Sequence, residues 1–245
     1  MILRRLTNAI REQNWFAVGI EFVIVVAGVM LAFQITAWNE HQLSEIRVSQ
    51  SLARIQLETE RNIAALRRRI ETNTERQDEQ SLMVAIAMSG TLEPENREAF
   101  ERAVAQLMYF SRPPVQQSTY AALEQSGDLA LIADRDIIIA LNEYRGRVTW
   151  IESQHASFRT GLTTFTDTLD EFVYHEPTDE PTVTRVRIDL NRLMADPRRQ
   201  SALVQMARMH AIFGQYVVAL EDHTVRLCHR LADETGRPCD DGATP

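Results

Sequence analysis

The stretch WFAVGIEFVIVVAGVMLAFQITAW, residues 15–38, decides the fold, because only Glu21, Gln34 and Thr36 interrupt an apolar run between two tryptophans. As a helix its 24 residues would extend about 36 Å, enough to cross a hydrocarbon core of about 30 Å. The terminal tryptophans fall where the aromatic belts of membrane proteins lie. The sequence therefore predicts one transmembrane helix over residues 15–38.

A cleaved signal peptide is the alternative interpretation of this stretch. The apolar run exceeds the usual signal core of about 7–15 residues, and no small-x-small cleavage site follows it. Ile35 would flank such a site and is too large for it. We therefore expect an uncleaved signal anchor.

The charges beside the anchor predict its orientation. Three arginines lie within residues 1–14, whereas Glu40 and Glu45 crowd the other flank. The positive-inside rule assigns the basic flank to the cytoplasm. We expect a cytoplasmic tail over residues 1–14 and an extracytoplasmic domain over residues 39–245. In a bacterium this describes an inner-membrane protein with a periplasmic domain.

Polar and small residues within the anchor are candidates for helix contacts. Glu21 either is protonated or reaches the cytoplasmic interface, or it makes a polar contact with another membrane helix. Gly28 and Ala32 form a small-xxx-small pair that would allow close approach of a second helix. Gln34 is a further polar position in the span.

Composition excludes several classes of function. The formal net charge of −8 argues against a nucleic-acid partner. The chain contains no lysine, which excludes a phosphate-loop lysine, a Schiff-base lysine and a Ser-Lys dyad. It also lacks a His-Glu-x-x-His motif, a Gly-rich phosphate loop and a nucleophile elbow. We expect no enzyme, no cofactor and no catalytic metal.

Prolines and glycines divide the remaining chain into helices. No breaker occurs between Trp38 and Gly90, so the anchor helix should continue beyond the membrane. Pro177 and Pro181 mark an exposed loop, and no alternating strand pattern of useful length is evident. We expect an all-α fold, an antiparallel helical bundle. The further helices are expected to begin at Pro94, Val115, Asp134, Val183 and Asp196 and to end near Pro113, Ser126, Phe172, Met194 and Thr235.

Two long helices carry seams with alternating steps of three and four, as in coiled coils and antiparallel bundles. His155 lies on one seam and His210 on the other, so an antiparallel pair would bring them within about two turns. They are predicted to share a buried polar layer or to bind a metal. Glu152 and His155 form one Glu-x-x-His pair, but Ala207 replaces the glutamate of a second pair, so no di-iron site is expected. The seams are Ile137, Leu141, Tyr144, Val148, Ile151, His155, Phe158, Leu162, Phe165, Leu169 and Phe172, and then Leu203, Met206, His210, Phe213, Val217, Leu220, Thr224, Leu227 and Leu231.

Two blocks of sequence resemble a large family of bacterial single-span membrane proteins, classed as a domain of unknown function. The first is the anchor, with Glu21, the Gly28-Val-Met-Leu-Ala-Phe-Gln34-Ile run and Trp38-Asn-Glu. The second is Tyr120-x-x-Leu-x-x-Ser-Gly-x-Leu-x-Leu-Ile132. The chain departs from the family after Tyr144, where Arg145 replaces a common second aromatic residue. The resemblance implies a membrane-tethered helical domain and no particular activity.

The second block can also be interpreted from its residues. Tyr120 and Leu123 share a helix face, and Gly127 can adopt the positive φ that a tight helix exit requires. One interpretation is a buried helix–turn–helix corner formed by Tyr120, Leu123, Ser126 and Gly127. The alternative is a ligand or partner groove lined by Tyr120, Ser126 and Asp128.

A run of three arginines, Arg67, Arg68 and Arg69, invites two interpretations. It is expected to form a solvated helix face whose charges are balanced by Glu71 and Glu75. The alternative is a binding patch.

The two cysteines, Cys228 and Cys239, are a candidate disulfide that would staple the C-terminal tail to the last helix in an oxidising compartment. An intermolecular bridge, or a metal site that recruits His229 and Asp240, are the alternatives.

These observations leave two candidate functions. The first is a protein-interaction or accessory module whose partner is another membrane or envelope protein, or a second copy of the chain. The second is a ligand-sensing bundle, which would need a partner subunit because residues 1–14 are too short for an output domain. The sequence does not identify a ligand.

Overall fold

The computed structural model describes residues 15–169, 171–177 and 184–242. The predicted cytoplasmic tail and the interior of the predicted proline loop lie outside these residues. The chain divides into two compact units, Met1–Gln50 and Ser51–Pro245.

Six α-helices, one hairpin and two short 3₁₀ turns are found in the described chain; the turn Pro94–Asn96 precedes the second helix, and the turn Asp128–Leu131 follows the third. The predicted all-α class is confirmed, with the hairpin as the exception. The elements are α1 (Trp15–Ser89), α2 (Arg97–Leu107), α3 (Ser118–Ser126), α4 (Arg135–Leu169), β1 (Val173–Pro177), β2 (Thr184–Ile188), α5 (Leu190–Met194) and α6 (Pro197–Thr235).

The N-terminal unit contains the apolar part of α1. Its most apolar window has a mean hydropathy of 2.3, and none of that window is buried. By length and composition this helix could span a membrane. The helix continues to Ser89, as predicted, and ends where Gly90 adopts a φ of 75° and donates its N–H to the Ile86 carbonyl.

Local capping groups fix the ends of α4 and α6. Asp134 Oδ1 accepts the Asp136 N–H at 2.7 Å, and the Asp196 side chain accepts the Arg198 N–H at 2.9 Å. Gly236 ends α6 with a φ of 70°. These ends follow the predicted caps, because each depends on residues close in sequence.

The bounds of α2 and α3 differ from the prediction. The helix expected to run to Pro113 ends at Leu107, and the helix expected from Val115 begins at Ser118. Both ends are fixed from distant parts of the chain. His210 from α6 binds the Leu107 carbonyl oxygen, and Glu58 from α1 binds the Thr119 N–H at 3.0 Å.

The helix predicted from Val183 to Met194 is wrong, because Thr184–Ile188 forms a strand antiparallel to Val173–Pro177. The alternation Thr-Arg-Val-Arg-Ile over residues 184–188 is a strand pattern, but it is too short to be distinguished from a helix by period alone. Val186 and Ile188 are buried, so the hairpin covers one end of the bundle core. Only α5 remains helical in this segment.

Helices α4 and α6 pack side by side and antiparallel. Trp150 and Phe158 both contact Tyr216, with ring centroids 4.8 and 6.2 Å apart, and Phe158 also contacts Phe213. On the α6 seam, every residue except His210 is buried. The seam prediction is therefore confirmed for α6, and it holds for most of α4.

The residues of α1 beyond Gln50 run antiparallel to α6. Gln56 contacts Thr235, Arg67 contacts Glu221, and an added Cβ on Gly214 would lie 3.9 Å from the amide nitrogen of Asn73. Near the end of α1, Met83, Ile86 and Ala87 join an apolar cluster with α2, the hairpin and the start of α6.

Candidate functional site

A groove opens between α1 and α6, beside the C-terminal end of α2. Its volume is about 370 Å³, which lies within the size range of small-molecule sites. The wall from α1 comprises residues Arg69 to Gln80, and the wall from α6 comprises His210 to Val218. We call this cavity the α1–α6 groove.

Positive charge distinguishes this groove. Arg69, Arg76 and His210 line it, and none of its described lining residues is acidic. Neither arginine forms an ion pair or side-chain hydrogen bond with any residue that the structure describes. Burial lowers the pKa of Arg69, and the nearby Arg76 lowers that pKa further.

His210, which is half-buried, belongs to the α6 wall of the groove. Burial lowers its pKa, the hydrogen bond to the Leu107 carbonyl opposes that shift, and Arg69 and Arg76 lower the pKa further. Because a carbonyl oxygen can only accept, His210 Nε2 carries the proton of the 3.0 Å bond. The described residues that line the groove include no carboxylate, so none of them balances the charges of Arg69 and Arg76.

Amide and apolar side chains complete the groove. Asn73, Gln77 and Gln80 lie along the α1 wall. Gln106 donates to Glu79, while its Oε1 is buried without a partner among the described groups. Tyr109 and Val218 add exposed apolar surface at the opening, and Gly214 leaves space opposite Asn73.

The two seam histidines meet in one layer but are separated by an aromatic ring. Phe110 stacks on His155 at 5.3 Å and meets His210 edge-on at 5.0 Å. His155 Nε2 binds the Phe110 carbonyl oxygen, and His210 Nε2 binds that of Leu107. Each histidine therefore holds the backbone that leaves α2, and no described metal-binding group includes either of them.

Glu152, the first residue of the Glu-x-x-His pair, forms an ion pair that has a structural role. Its carboxylate pairs with Arg112 in the segment that follows α2. Glu152 and His155 thus both contact residues 108–117, which lie between α2 and α3.

The expectation that Arg67, Arg68 and Arg69 form one solvated face paired with Glu71 and Glu75 is wrong. Successive helical residues point about 100° apart, and these three side chains have different surroundings. Arg67 pairs with Glu221 at 2.7 Å, Arg68 is exposed, and Arg69 lines the α1–α6 groove. No ion pair with Glu71 or Glu75 is formed among the described residues.

The block from Tyr120 to Gly127 forms a helix and its exit turn, in which Tyr120 and Leu123 are buried whereas Ser126 and Gly127 are exposed. Tyr120 is 4% exposed and donates its hydroxyl to Asn142 Oδ1 at 3.0 Å, and Leu123 is buried. Ser126 Oγ donates to the Leu123 carbonyl, and Gly127 adopts a φ of 78°. Arg145, where the family resemblance implied an aromatic residue, lies over the Tyr120 ring at 5.1 Å.

A hydrogen-bonded polar centre, formed by Glu58 and Asn62 of α1, supports this corner. Asn62 Nδ2 donates to the Gln116 carbonyl at 2.8 Å and to the Tyr144 hydroxyl at 3.0 Å, while its Oδ1 accepts the Gln116 N–H at 2.9 Å. Glu58 accepts from Ser118 and from Thr119. Burial raises the pKa of Tyr144 to about 12.

Cys228 and Cys239 are joined in a disulfide within the chain, with Cα atoms 5.6 Å apart. Glu60 lies beside the two sulfurs and is the third member of the one cluster of metal-binding side chains among the described residues. Its carboxylate instead accepts from Arg237 and from the Asp240 N–H. His229, a candidate metal ligand from sequence, contacts Asp241 at 3.2 Å.

The candidate residues of the anchor, Glu21, Gly28, Ala32 and Gln34, are all exposed. A Cβ added to Gly28 would meet nothing within 4 Å. The structure therefore leaves this part of α1 without a packing partner from the described chain.

Sequence reasoning missed the groove, although its signal was present. Asn73 and Gln77 are polar residues that interrupt the apolar seam of α1, which comprises Leu52, Ile55, Ile63, Leu66 and Ile70. Together with Arg69, Arg76 and Gln80 they recur at helical spacing, which places a polar stripe where an apolar one would pack.

No family model matches the chain, and neither the curated proteins nor the solved structures contain a match.

Proposed function

We propose that this protein is a membrane-anchored accessory module, with residues 1–14 in the cytoplasm and the helical bundle in the bacterial periplasm, that acts by contact with another protein rather than as an enzyme. The apolar helix and its basic N-terminal flank support the anchor and its orientation. Membership of the single-span family, inferred from the two sequence blocks, is part of this proposal.

One exposed stripe on the anchor supports a contact within the membrane. At about 100° per residue, Glu21, Gly28 and Ala32 lie within about 40° of one another around the helix. Small residues permit close approach of a second helix, and a carboxyl group in the span gains from a polar partner there. All three residues are exposed.

Crosslinking from the two faces of the anchor tests this proposal. A photoreactive side chain at Ala32 should capture one recurrent protein in cells, identified by mass spectrometry. Met30 is the matched control, because it is 62% exposed and lies about 180° from Glu21 around the helix. Equal capture from both positions, or adducts with lipid alone, would contradict a contact through this stripe.

The variant Glu21→Leu distinguishes the insertion of the anchor into the membrane from its contact with a partner protein. Leucine preserves the apolar character of the span, so insertion should be unchanged and capture from Ala32 should fall. If capture by the variant matches that of the unaltered chain, Glu21 has no role in the contact.

A different observation favours the second candidate function, ligand sensing through a partner subunit. The α1–α6 groove is open, polar and lined by two unpaired arginines, whereas polar side chains that only support a fold are normally satisfied by their neighbours. A compound that binds the groove should raise the thermal midpoint of the protein. Midpoints that no compound changes would count against sensing.

A further inference from the structure

We propose that the α1–α6 groove binds a small organic anion bearing a carboxylate or phosphate group, held by Arg69 and Arg76. This inference rests on the second candidate function, ligand binding in the groove, and adds the chemical class of the ligand. It is independent of the contact proposed for the anchor.

Two arginines on one wall supply the charge. Arg69 and Arg76 are seven residues apart, which is about two helical turns, so their side chains leave the same face of α1. The described lining provides no carboxylate to neutralise them. Guanidinium groups bind carboxylate and phosphate oxygens through paired, charge-assisted hydrogen bonds, which makes this anion chemistry the best complement to the groove.

Arg69, Arg76 and His210 line one cavity, and the charges of the two arginines affect each other and the histidine. Arg76 lowers the pKa of Arg69, and both arginines lower the pKa of His210. An anion placed among these groups would reverse each of these repulsions. The groove is therefore more favourable for an anion than for a neutral or cationic ligand.

The remaining lining indicates an organic rather than a bare inorganic anion. Gln106 Oε1 is buried and unpaired, so it could accept a hydrogen bond from a ligand hydroxyl or amine. Tyr109 and Val218 offer apolar surface for a carbon skeleton. A volume of about 370 Å³ accommodates a small molecule, and the net charge of −8 opposes a large polyanion.

Calorimetric titration of the full chain tests the inference. The protein is placed in phosphatidylcholine nanodiscs in phosphate-free buffer. Succinate, citrate and glucose 6-phosphate are the anionic probes, and succinamide and glucose are matched neutral ones. We expect at least one anion to bind with a Kd below about 1 mM and its neutral counterpart to bind at least about tenfold more weakly.

Three single variants locate the binding. Arg69→Gln and Arg76→Gln should each weaken anion binding by about tenfold, because each removes charge-assisted hydrogen bonds. Arg68→Gln is the control, since it removes the same charge from the neighbouring exposed position, and its Kd should stay within about twofold. Helical content and thermal midpoint verify that each variant is folded.

The outcomes separate this inference from the function on which it rests. If a neutral compound binds as well as its anionic counterpart, or if Arg69→Gln and Arg76→Gln bind normally, ligand binding stands and the anion class is wrong. If no compound binds, both are wrong.

A final titration distinguishes two sources of the same anionic chemistry. In nanodiscs that contain phosphatidylglycerol, an unchanged Kd assigns the groove to a dissolved anion. A weaker apparent Kd, caused by competition between the lipid and the dissolved probe, assigns the groove to a lipid headgroup. Either result supports an anionic ligand.

Discussion

Helix α1 carries two polar layers within about four turns of each other. The polar side chains of one layer are paired within the chain, whereas those of the other are not. At Asn62, every side-chain hydrogen-bonding group is used, and Glu58 accepts bonds from the start of α3. Around Arg69 and Arg76, the described chain supplies no counter-charge, and the adjoining Gln106 retains an unpaired oxygen. We call these regions the paired layer and the α1–α6 groove.

The difference shows how polar side chains on a bundle seam divide between two roles. A buried polar group without a partner costs free energy, so a layer that only fixes the register of helices should be satisfied internally. The paired layer meets this condition. The groove does not, which is the property expected of a surface that meets something outside the chain.

The largest expected effect is on the paired layer. Asn62→Ala removes three hydrogen bonds and leaves backbone groups of Gln116 unpaired, so the free energy of unfolding should fall by about 2–4 kcal/mol. Asn73→Ala changes the same residue type in the groove and should cost less than about 0.5 kcal/mol. Denaturant unfolding in non-ionic detergent, followed by circular dichroism, measures both. Equal losses would remove the distinction between the two regions.

The disulfide should stabilise the same end of the bundle as the paired layer. Cys228→Ser opens a bridge that spans 11 residues, and the free energy of unfolding should fall by about 2–3 kcal/mol. Reductant should destabilise the unaltered chain and leave the variant unchanged. Anion binding in the groove should persist in both, and its loss would show that the two ends are coupled.

A smaller effect of opposite sign is expected in the groove. Arg76→Gln relieves the repulsion of Arg69, so in anion-free buffer the variant should be more stable by about 0.5 kcal/mol. Arg68→Gln, at the exposed position, should leave the free energy of unfolding unchanged. A loss of stability in Arg76→Gln would mean that the arginine has a structural partner.

The smallest effect is the pH dependence contributed by His210. Its pKa in the folded chain lies below the unfolded value of about 6.5, because burial, Arg69 and Arg76 outweigh the bond to the Leu107 carbonyl. Between the two pKa values the unfolded chain binds the proton and the folded chain does not. The contribution of His210 to the free energy of unfolding is therefore fully present above about pH 6.5. It is lost as the pH falls through the pKa that His210 has in the folded chain.

His210→Gln isolates this contribution. The variant should lose less stability than the unaltered chain on acidification from about pH 7 to pH 5, as measured by thermal midpoints. A bound anion should reduce the loss in the unaltered chain, since it raises the pKa of His210. Identical pH profiles for the two proteins would contradict this assignment.

The sequence predicted the parts of the fold that depend on neighbouring residues. The α6 seam, the caps at Asp134 and Asp196 and the exit at Gly236 follow from spacing within one or two turns. The hairpin was missed because the buried face of β2 consists of Val186 and Ile188, too few for a distinct period.

The groove and the paired layer depend on residues far apart in sequence. Glu58 caps a helix that begins sixty residues later, and the end of α2 is set by His210 across a separation of 103 residues. No local pattern encodes such contacts. The run of Arg67, Arg68 and Arg69 shows this limit of sequence-based prediction. Its composition indicates a charged helix face, but it does not indicate which arginine lacks a partner.

The tail that follows α6 has a consequence for the order of folding. Gln56 Nε2 donates to the Arg237 carbonyl across 181 residues, and Glu60 is paired by Arg237 and Asp240. At a synthesis rate of about 5–20 residues per second, roughly 10–40 s separate these partners. Helix α1 is made first, yet Gln56 and Glu60 can reach these partners only after the whole of α6 has been synthesised. The contacts that join this part of α1 to the C-terminal tail therefore form only after residues 235–240 have been synthesised.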